Sequence, residues 1–84
     1  MNQAQKDKLN NILEEVLGIK PTPDISMDNV ANWDSLRHIQ LLAKIEQAFG
    51  IEIYFQDTLA MKNIKAIGEI LDRYVARKPG SNKN

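Results

Sequence analysis

Apolar residues in the first part of the chain recur with the period of an α-helix. The pattern i, i+3, i+4, i+7, i+8 is formed by Leu9, Ile12, Leu13, Val16 and Leu17. This spacing places the side chains on one helix face, and Gly18 is a residue at which helices commonly end. We therefore expect a first helix over about residues 3–17, with this face in the core.

A broader apolar stripe predicts a second helix from about Ser35 to Phe49. Its apolar positions are Leu36, Ile39, Leu41, Leu42, Ile45, Ala48 and Phe49. Gly50 follows the last of them and is suited to end the helix. Because stripes of this kind face the interior, we expect the core to contain Ile39, Leu42, Ile45 and Phe49.

The segment between these helices, residues 19–33, has no helical period. Pro21 and Pro23 bias the residues before them away from helix, so a long loop is expected. Four large side chains could anchor this loop by packing onto the helices: Ile25, Met27, Val30 and Trp33. For Trp33, contact with a partner protein is an equally good interpretation, since aromatic residues serve both purposes.

The remainder of the chain predicts two more helices. Residues 51–55 alternate as "IEIYF", but a single strand without a partner cannot form a sheet, so we expect a buried connector. A short helix is expected in "QDTLAMKN", and Asn63 is placed to cap a last helix. The inward residues of that helix are Ile64, Ile67, Ile70, Leu71, Tyr74 and Val75.

These elements predict an all-α fold, a small bundle of three long helices and one short helix. The long loop joins the first and second helices. Pro79 and Gly80 end the last helix, so we expect one domain over residues 1–77 and a frayed tail over residues 78–84.

Composition argues against several classes of function. Eleven basic and eleven acidic residues cancel, which gives no reason to expect a nucleic acid partner. The absence of cysteine and the single histidine leave no disulfide and no realistic metal site. No apolar run is long enough for a membrane span, and no signal peptide is evident. We expect a monomeric cytoplasmic protein, too small for an enclosed active site and not an enzyme.

Ser35 is the candidate for chemistry, and three interpretations apply to it. The segment "NWDS" offers Asn32, Asp34 and Ser35 as helix N-caps, which is the usual use of such residues. Asp34, Ser35 and His38 also contain the residue types of a hydrolase triad, although no oxyanion hole is evident. Finally, a serine at a helix N-terminus is well placed to carry a phosphodiester, because the helix dipole favours an anion there.

The motif "DSL" at Asp34–Leu36, followed by "IQLLAKIEQAFGIEI" and preceded by "LEEVLGI", resembles the acyl carrier protein family. The resemblance covers roughly residues 5–76. It implies that a phosphopantetheinyl transferase attaches 4'-phosphopantetheine from coenzyme A to Ser35. The thiol of that arm would hold acyl or aminoacyl cargo as a thioester, without catalysis by the carrier itself.

The resemblance also implies partner proteins: the transferase, a loading ligase, and downstream synthase or transferase enzymes. Asp34 and Leu36 match the flanking positions that transferases recognise. Three further residues are candidates for partner contact: Trp33, Arg37 and Gln40.

The second helix carries Arg37 and Lys44 against Glu46, a formal charge of +1, whereas carriers of fatty acid synthesis present an acidic face there. We therefore expect a specialised pathway with a polyketide-type acyl, aminoacyl or D-alanyl cargo. The alternative is a small helical interaction module with no prosthetic group, in which Ser35 is only a cap.

Overall fold

A computed structural model describes residues 1–77, and within them every regular element is a helix. The helices are α1 (Gln3–Leu17), α2 (Ser35–Phe49), α3 (Phe55–Ala60) and α4 (Ile64–Arg77). The predicted all-α bundle of three long helices and one short helix is therefore confirmed. The predicted tail, residues 78–84, lies outside the described residues.

The ends of the first two helices follow from local chemistry. Asn2 and Gln5 form a reciprocal capping box, with backbone-to-side-chain hydrogen bonds of 2.8 and 2.9 Å, which begins α1. Gly18 and Gly50 end α1 and α2 with positive φ angles of 69° and 65°, as the two glycines predict.

The core is made by one face of each long helix, by the loop before α2 and by the connections on either side of α3. Its buried members are Leu9, Ile12, Leu13, Val16, Leu17, Trp33, Leu41, Leu42, Ile45, Phe49, Ile53, Met61, Ile67, Ile70, Leu71 and Tyr74. Trp33 is 2% exposed, so its burial favours the interpretation of a loop anchor over that of a partner contact.

Ile39 is an exception, and its prediction as a core residue is wrong. Its side chain is 65% exposed, whereas Ile45 on the same helix is fully buried. Six residues separate the two, which at 3.6 residues per turn puts their side chains about 120° apart around the axis. The apolar stripe of α2 is too broad for a single buried face.

The predicted buried connector after α2 is only half correct. Ile53 is buried and Ile51 is half-buried. Tyr54 and Phe55, by contrast, are 62% and 76% exposed, and Phe55 is already the first residue of α3. The segment turns outward where α3 begins.

The long loop is attached to the start of α4 by backbone hydrogen bonds. The Met27 N–H donates to the carbonyl of Lys62 at 2.9 Å, and the Ile64 N–H donates to the carbonyl of Ile25 at 3.0 Å. Ile25, Met27 and Val30 are half-buried against the core, which confirms them as anchors. The loop therefore approaches α2 from a fixed position.

The last two helices are joined by side-chain hydrogen bonds. Asn63 caps α4 as predicted, accepting from the Ala66 N–H at 2.7 Å. The Tyr74 hydroxyl accepts from the Tyr54 N–H at 2.9 Å and donates to the Asp57 carboxylate. These bonds hold α3, which buries no residue of its own, against α4.

No helix within residues 1–77 is long and apolar enough to cross a membrane.

Candidate functional site

Ser35 is the first residue of α2, and its neighbour Asp34 is the N-cap. The Asp34 carboxylate accepts a hydrogen bond from the Arg37 N–H at 2.9 Å. Ser35 is exposed, and no group within residues 1–77 hydrogen-bonds its hydroxyl. The interpretation of Ser35 as the helix cap is therefore wrong, because Asp34 occupies that role.

The first turn of α2 provides a favourable setting for an anion. The N–H groups of Ser35 and Leu36 have no hydrogen-bond partner among residues 1–77, as expected at a helix start. The positive end of the helix dipole lies at the same place. An exposed, unbonded hydroxyl beside free N–H groups fits the attachment of a phosphodiester.

His38, the histidine of the possible triad, is half-buried. Its Nδ1 accepts from Trp33 Nε1–H at 3.0 Å, and its Nε2 lies 2.9 Å from the carbonyl of Thr58. Both ring nitrogens therefore have partners other than Asp34 and Ser35. A triad of Asp34, His38 and Ser35 is not formed, which contradicts the catalytic interpretation.

Arg37 is exposed but is not a free surface charge. Its Nη1 donates to the carbonyl of Val16 at 2.8 Å, near the end of α1. Gln40, predicted as a partner contact, is exposed. Of the five predicted contact residues, the structure leaves Asp34, Leu36, Arg37 and Gln40 accessible, whereas Trp33 is buried.

Exposed apolar side chains occur on both α2 and α3. Leu36 and Ile39 are 63% and 65% exposed on α2, and Phe55 and Leu59 are 76% and 54% exposed on α3. The contact of His38 with the Thr58 carbonyl brings the first turn of α2 beside α3. The sequence interpretation missed Ile39, Phe55 and Leu59; the excess width of the apolar stripe on α2 was the available signal for Ile39.

The site contains no metal cluster among the residues that the structure describes, since no group of three potential acidic, histidine or cysteine ligands comes together in residues 1–77. The first turn of α2 provides the exposed Ser35 hydroxyl at a helix end that favours an anion. The apolar side chains of Leu36 and Ile39 are accessible beside it.

Comparison with known proteins agrees with this arrangement. The family described as "Phosphopantetheine attachment site" matches residues 7–71. The acyl carrier protein of Thermosynechococcus vestitus is 28% identical over 80 residues, which cover 90% of this chain and 99% of that protein. The family match argues against the alternative of an interaction module with no prosthetic group. Because it spans most of the chain, this protein belongs to the acyl carrier family, and it is a carrier of covalent 4'-phosphopantetheine rather than an enzyme.

Proposed function

We propose that Ser35 is the residue to which 4'-phosphopantetheine is attached, and that the arm holds acyl or aminoacyl cargo in a specialised biosynthetic pathway. The observation that carries the first part is the Ser35 hydroxyl, which is exposed and unbonded at the start of α2.

The other serine within the matched residues supports this choice by contrast. Ser26 is half-buried, and its hydroxyl accepts from the Asp28 N–H at 3.2 Å. Its backbone lies in the bridge to Asn63 that attaches the long loop. A transferase would have to open this loop to reach Ser26, whereas Ser35 needs no rearrangement.

The bound group supplies a flexible arm ending in a thiol, the atom that forms a thioester with cargo. The chain's part is to provide the Ser35 oxygen for the phosphodiester and the N–H groups of Ser35 and Leu36 for its negative charge. With no cysteine in the sequence, no thiol of the chain competes for cargo.

The exposed apolar side chains support contact with partner enzymes. Leu36 and Ile39 lie one and four residues after Ser35, and α3 adds Phe55 and Leu59. Exposed apolar clusters on a small protein commonly mark interaction sites. We infer that the phosphopantetheinyl transferase, the loading ligase and the downstream enzymes contact this surface, together with Asp34 and Gln40.

The charges of α2 support a specialised pathway. Lys44 forms an ion pair with Glu15 at 3.4 Å, and Glu46 accepts from the Ile53 N–H at 2.8 Å. Arg37 donates to a carbonyl of α1. All three charged side chains of α2 thus engage groups of this chain, and the helix presents no acidic face to partners. Cytoplasmic location and a monomeric state remain predictions.

The experiment that tests the attachment residue is intact mass spectrometry after incubation with coenzyme A, Mg²⁺ and a broad-specificity phosphopantetheinyl transferase. We expect a gain of one phosphopantetheinyl group in the wild type and in Ser26→Ala, and no gain in Ser35→Ala. A gain in folded Ser35→Ala, or none in the wild type beside a working control carrier, would refute Ser35 as the attachment residue.

A further inference from the structure

Arg37 and His38, the second and third residues after Ser35, contact the ends of two different helices. Arg37 Nη1 donates to the carbonyl of Val16 in the last turn of α1 at 2.8 Å. His38 Nε2 lies 2.9 Å from the carbonyl of Thr58 in the last turn of α3. The Val16 carbonyl, in the last turn of its helix, has no intrahelical partner, so Arg37 satisfies a group that would otherwise need water. The Thr58 carbonyl also accepts from the Met61 N–H at 3.3 Å, so His38 adds a second bond to it.

The other ring nitrogen of His38, Nδ1, forms a hydrogen bond that links the residues on either side of Ser35. Trp33 Nε1–H donates to His38 Nδ1 at 3.0 Å, and this bond joins the residue two before Ser35 to the residue three after it. Trp33 is itself buried in the core. The turn that carries Ser35 is therefore attached to α1, to α3 and to the core.

These contacts require a neutral imidazole. The Trp33 indole can only donate, so His38 Nδ1 must accept; the Thr58 carbonyl can only accept, so His38 Nε2 must carry the proton. A second proton on Nδ1 would set one N–H against another and break the bond to Trp33. Protonation of His38 is thus incompatible with the observed arrangement.

No charged group near His38 is placed to compensate a positive ring. On α2, Asp34 accepts from the Arg37 N–H, and Arg37 turns to α1. On α3, Asp57 accepts from the Tyr74 hydroxyl. The loop contacts His38 through the indole of Trp33, and no ion pair to His38 forms within residues 1–77.

We propose that Arg37 and His38 are positioning residues for Ser35, and that the need for neutral His38 makes presentation of Ser35 to its transferase sensitive to acid. This inference rests on the proposed attachment at Ser35. Acid would break the Trp33–His38 bond, detach the residue two before Ser35 from the residue three after it, and leave the serine on a less ordered turn.

The test compares the rate of phosphopantetheine transfer to the wild type with the rate to Trp33→Phe and to His38→Gln, from pH 8 to pH 5.5. Trp33→Phe removes the conflicting donor, and Gln at position 38 stays neutral. The rates of the wild type and of His38→Gln are each divided by the rate of Trp33→Phe at the same pH. This ratio cancels the pH dependence of the transferase. We expect the wild-type ratio to fall about three- to tenfold between pH 8 and pH 5.5, and the His38→Gln ratio to stay flat.

A second readout needs no transferase. Hydrogen exchange of the Trp33 indole Nε1–H, corrected for its intrinsic rate and divided by that of the Leu13 amide in α1, should accelerate with acid in the wild type only. This measurement also decides the matter if Trp33→Phe does not fold, since it compares the wild type with His38→Gln alone.

The two proposals fail in different ways. A flat wild-type ratio with exchange of the Trp33 indole N–H unaffected by pH, or an equal decline in His38→Gln, would overturn the role of His38 while leaving attachment at Ser35 intact. Absence of the phosphopantetheinyl group at every pH would overturn attachment at Ser35, and the exchange data would still report on the Trp33–His38 bond.

Discussion

The Asp34 carboxylate accepts a hydrogen bond from the backbone N–H of Arg37 at 2.9 Å, and the hydroxyl of Ser35 is left without a structural role. Removing the cap and removing the hydroxyl should therefore differ in their effect on stability. We expect Asp34→Ala to lower the free energy of unfolding by about 0.5–2 kcal/mol. Ser35→Ala, an exposed substitution, should change it by less than about 0.5 kcal/mol.

Urea unfolding followed by circular dichroism measures both variants. Asp34→Asn is the matched control, because asparagine caps a helix as well as aspartate does. Its stability should equal that of the wild type, so any loss of transfer in Asp34→Asn would report recognition of the carboxylate. A loss in Ser35→Ala as large as that in Asp34→Ala would contradict the assignment of the cap.

Ile39 and Ile45 should respond in opposite ways to truncation. Ile45→Ala removes a fully buried side chain and should lower the free energy of unfolding by about 2–5 kcal/mol. The Ile39 side chain is 65% exposed, so Ile39→Ala should change the free energy of unfolding by less than about 0.5 kcal/mol. It should instead slow the transfer of phosphopantetheine by the transferase. Equilibrium unfolding and the rate of phosphopantetheine transfer separate the two effects. If Ile39→Ala lowered the free energy of unfolding as much as Ile45→Ala does, Ile39 would have to be a core residue.

The Tyr74 hydroxyl should stabilise the attachment of α3. Tyr74→Phe leaves the Tyr54 N–H and the Asp57 carboxylate without that partner, and we expect a loss of about 1–3 kcal/mol in the free energy of unfolding. Tyr54→Phe is the control, because the Tyr54 side chain is 62% exposed. Equal stability of the two variants in urea would count against this role of Tyr74.

Acid titration of the long loop should reveal the Thr22–Asp24 contact. The Thr22 hydroxyl donates to the Asp24 carboxylate and, as the main cause, holds the pKa of Asp24 below its ordinary value. Stabilisation by this contact is present above the ordinary pKa and lost as pH falls through the lowered one. NMR titration of the carboxyl carbon should find a higher pKa of Asp24 in Thr22→Val; an unchanged value would exclude Thr22 as the cause.

A carboxylate added to the exposed face of α2, which lacks an acidic surface, should improve recognition by enzymes of fatty acid synthesis. We expect Gln40→Glu to raise the rate of malonyl transfer by about two- to fivefold, the effect of one exposed ion pair of about 0.5–1 kcal/mol. Gln47→Glu, exposed on the last turn of the same helix, is the control for charge alone. Wild-type rates equal to those of an acidic fatty acid carrier would contradict the specialised pathway.

The helices of this protein could be predicted because their signals are local. The apolar period of residues 9–17, the glycines Gly18 and Gly50, and the cap Asn63 act within a few residues of chain, and each occurs as predicted. The "DSL" motif, together with the "IEQAFGIEI" segment that follows it and the order of the helices, likewise indicated the family and the candidate serine. Periodicity failed for Ile39 because an apolar residue at the edge of a stripe faces inward or outward according to its neighbours.

The amino-acid sequence by itself determined four helices, their order and the serine at the start of the second. Only the tertiary structure decided what surrounds that serine. The contacts of His38 and Arg37 could not be predicted, because their partners, Thr58 and Val16, are 20 and 21 residues away in the chain. Contacts at that separation depend on how helices pack, and no local pattern of side chains encodes them.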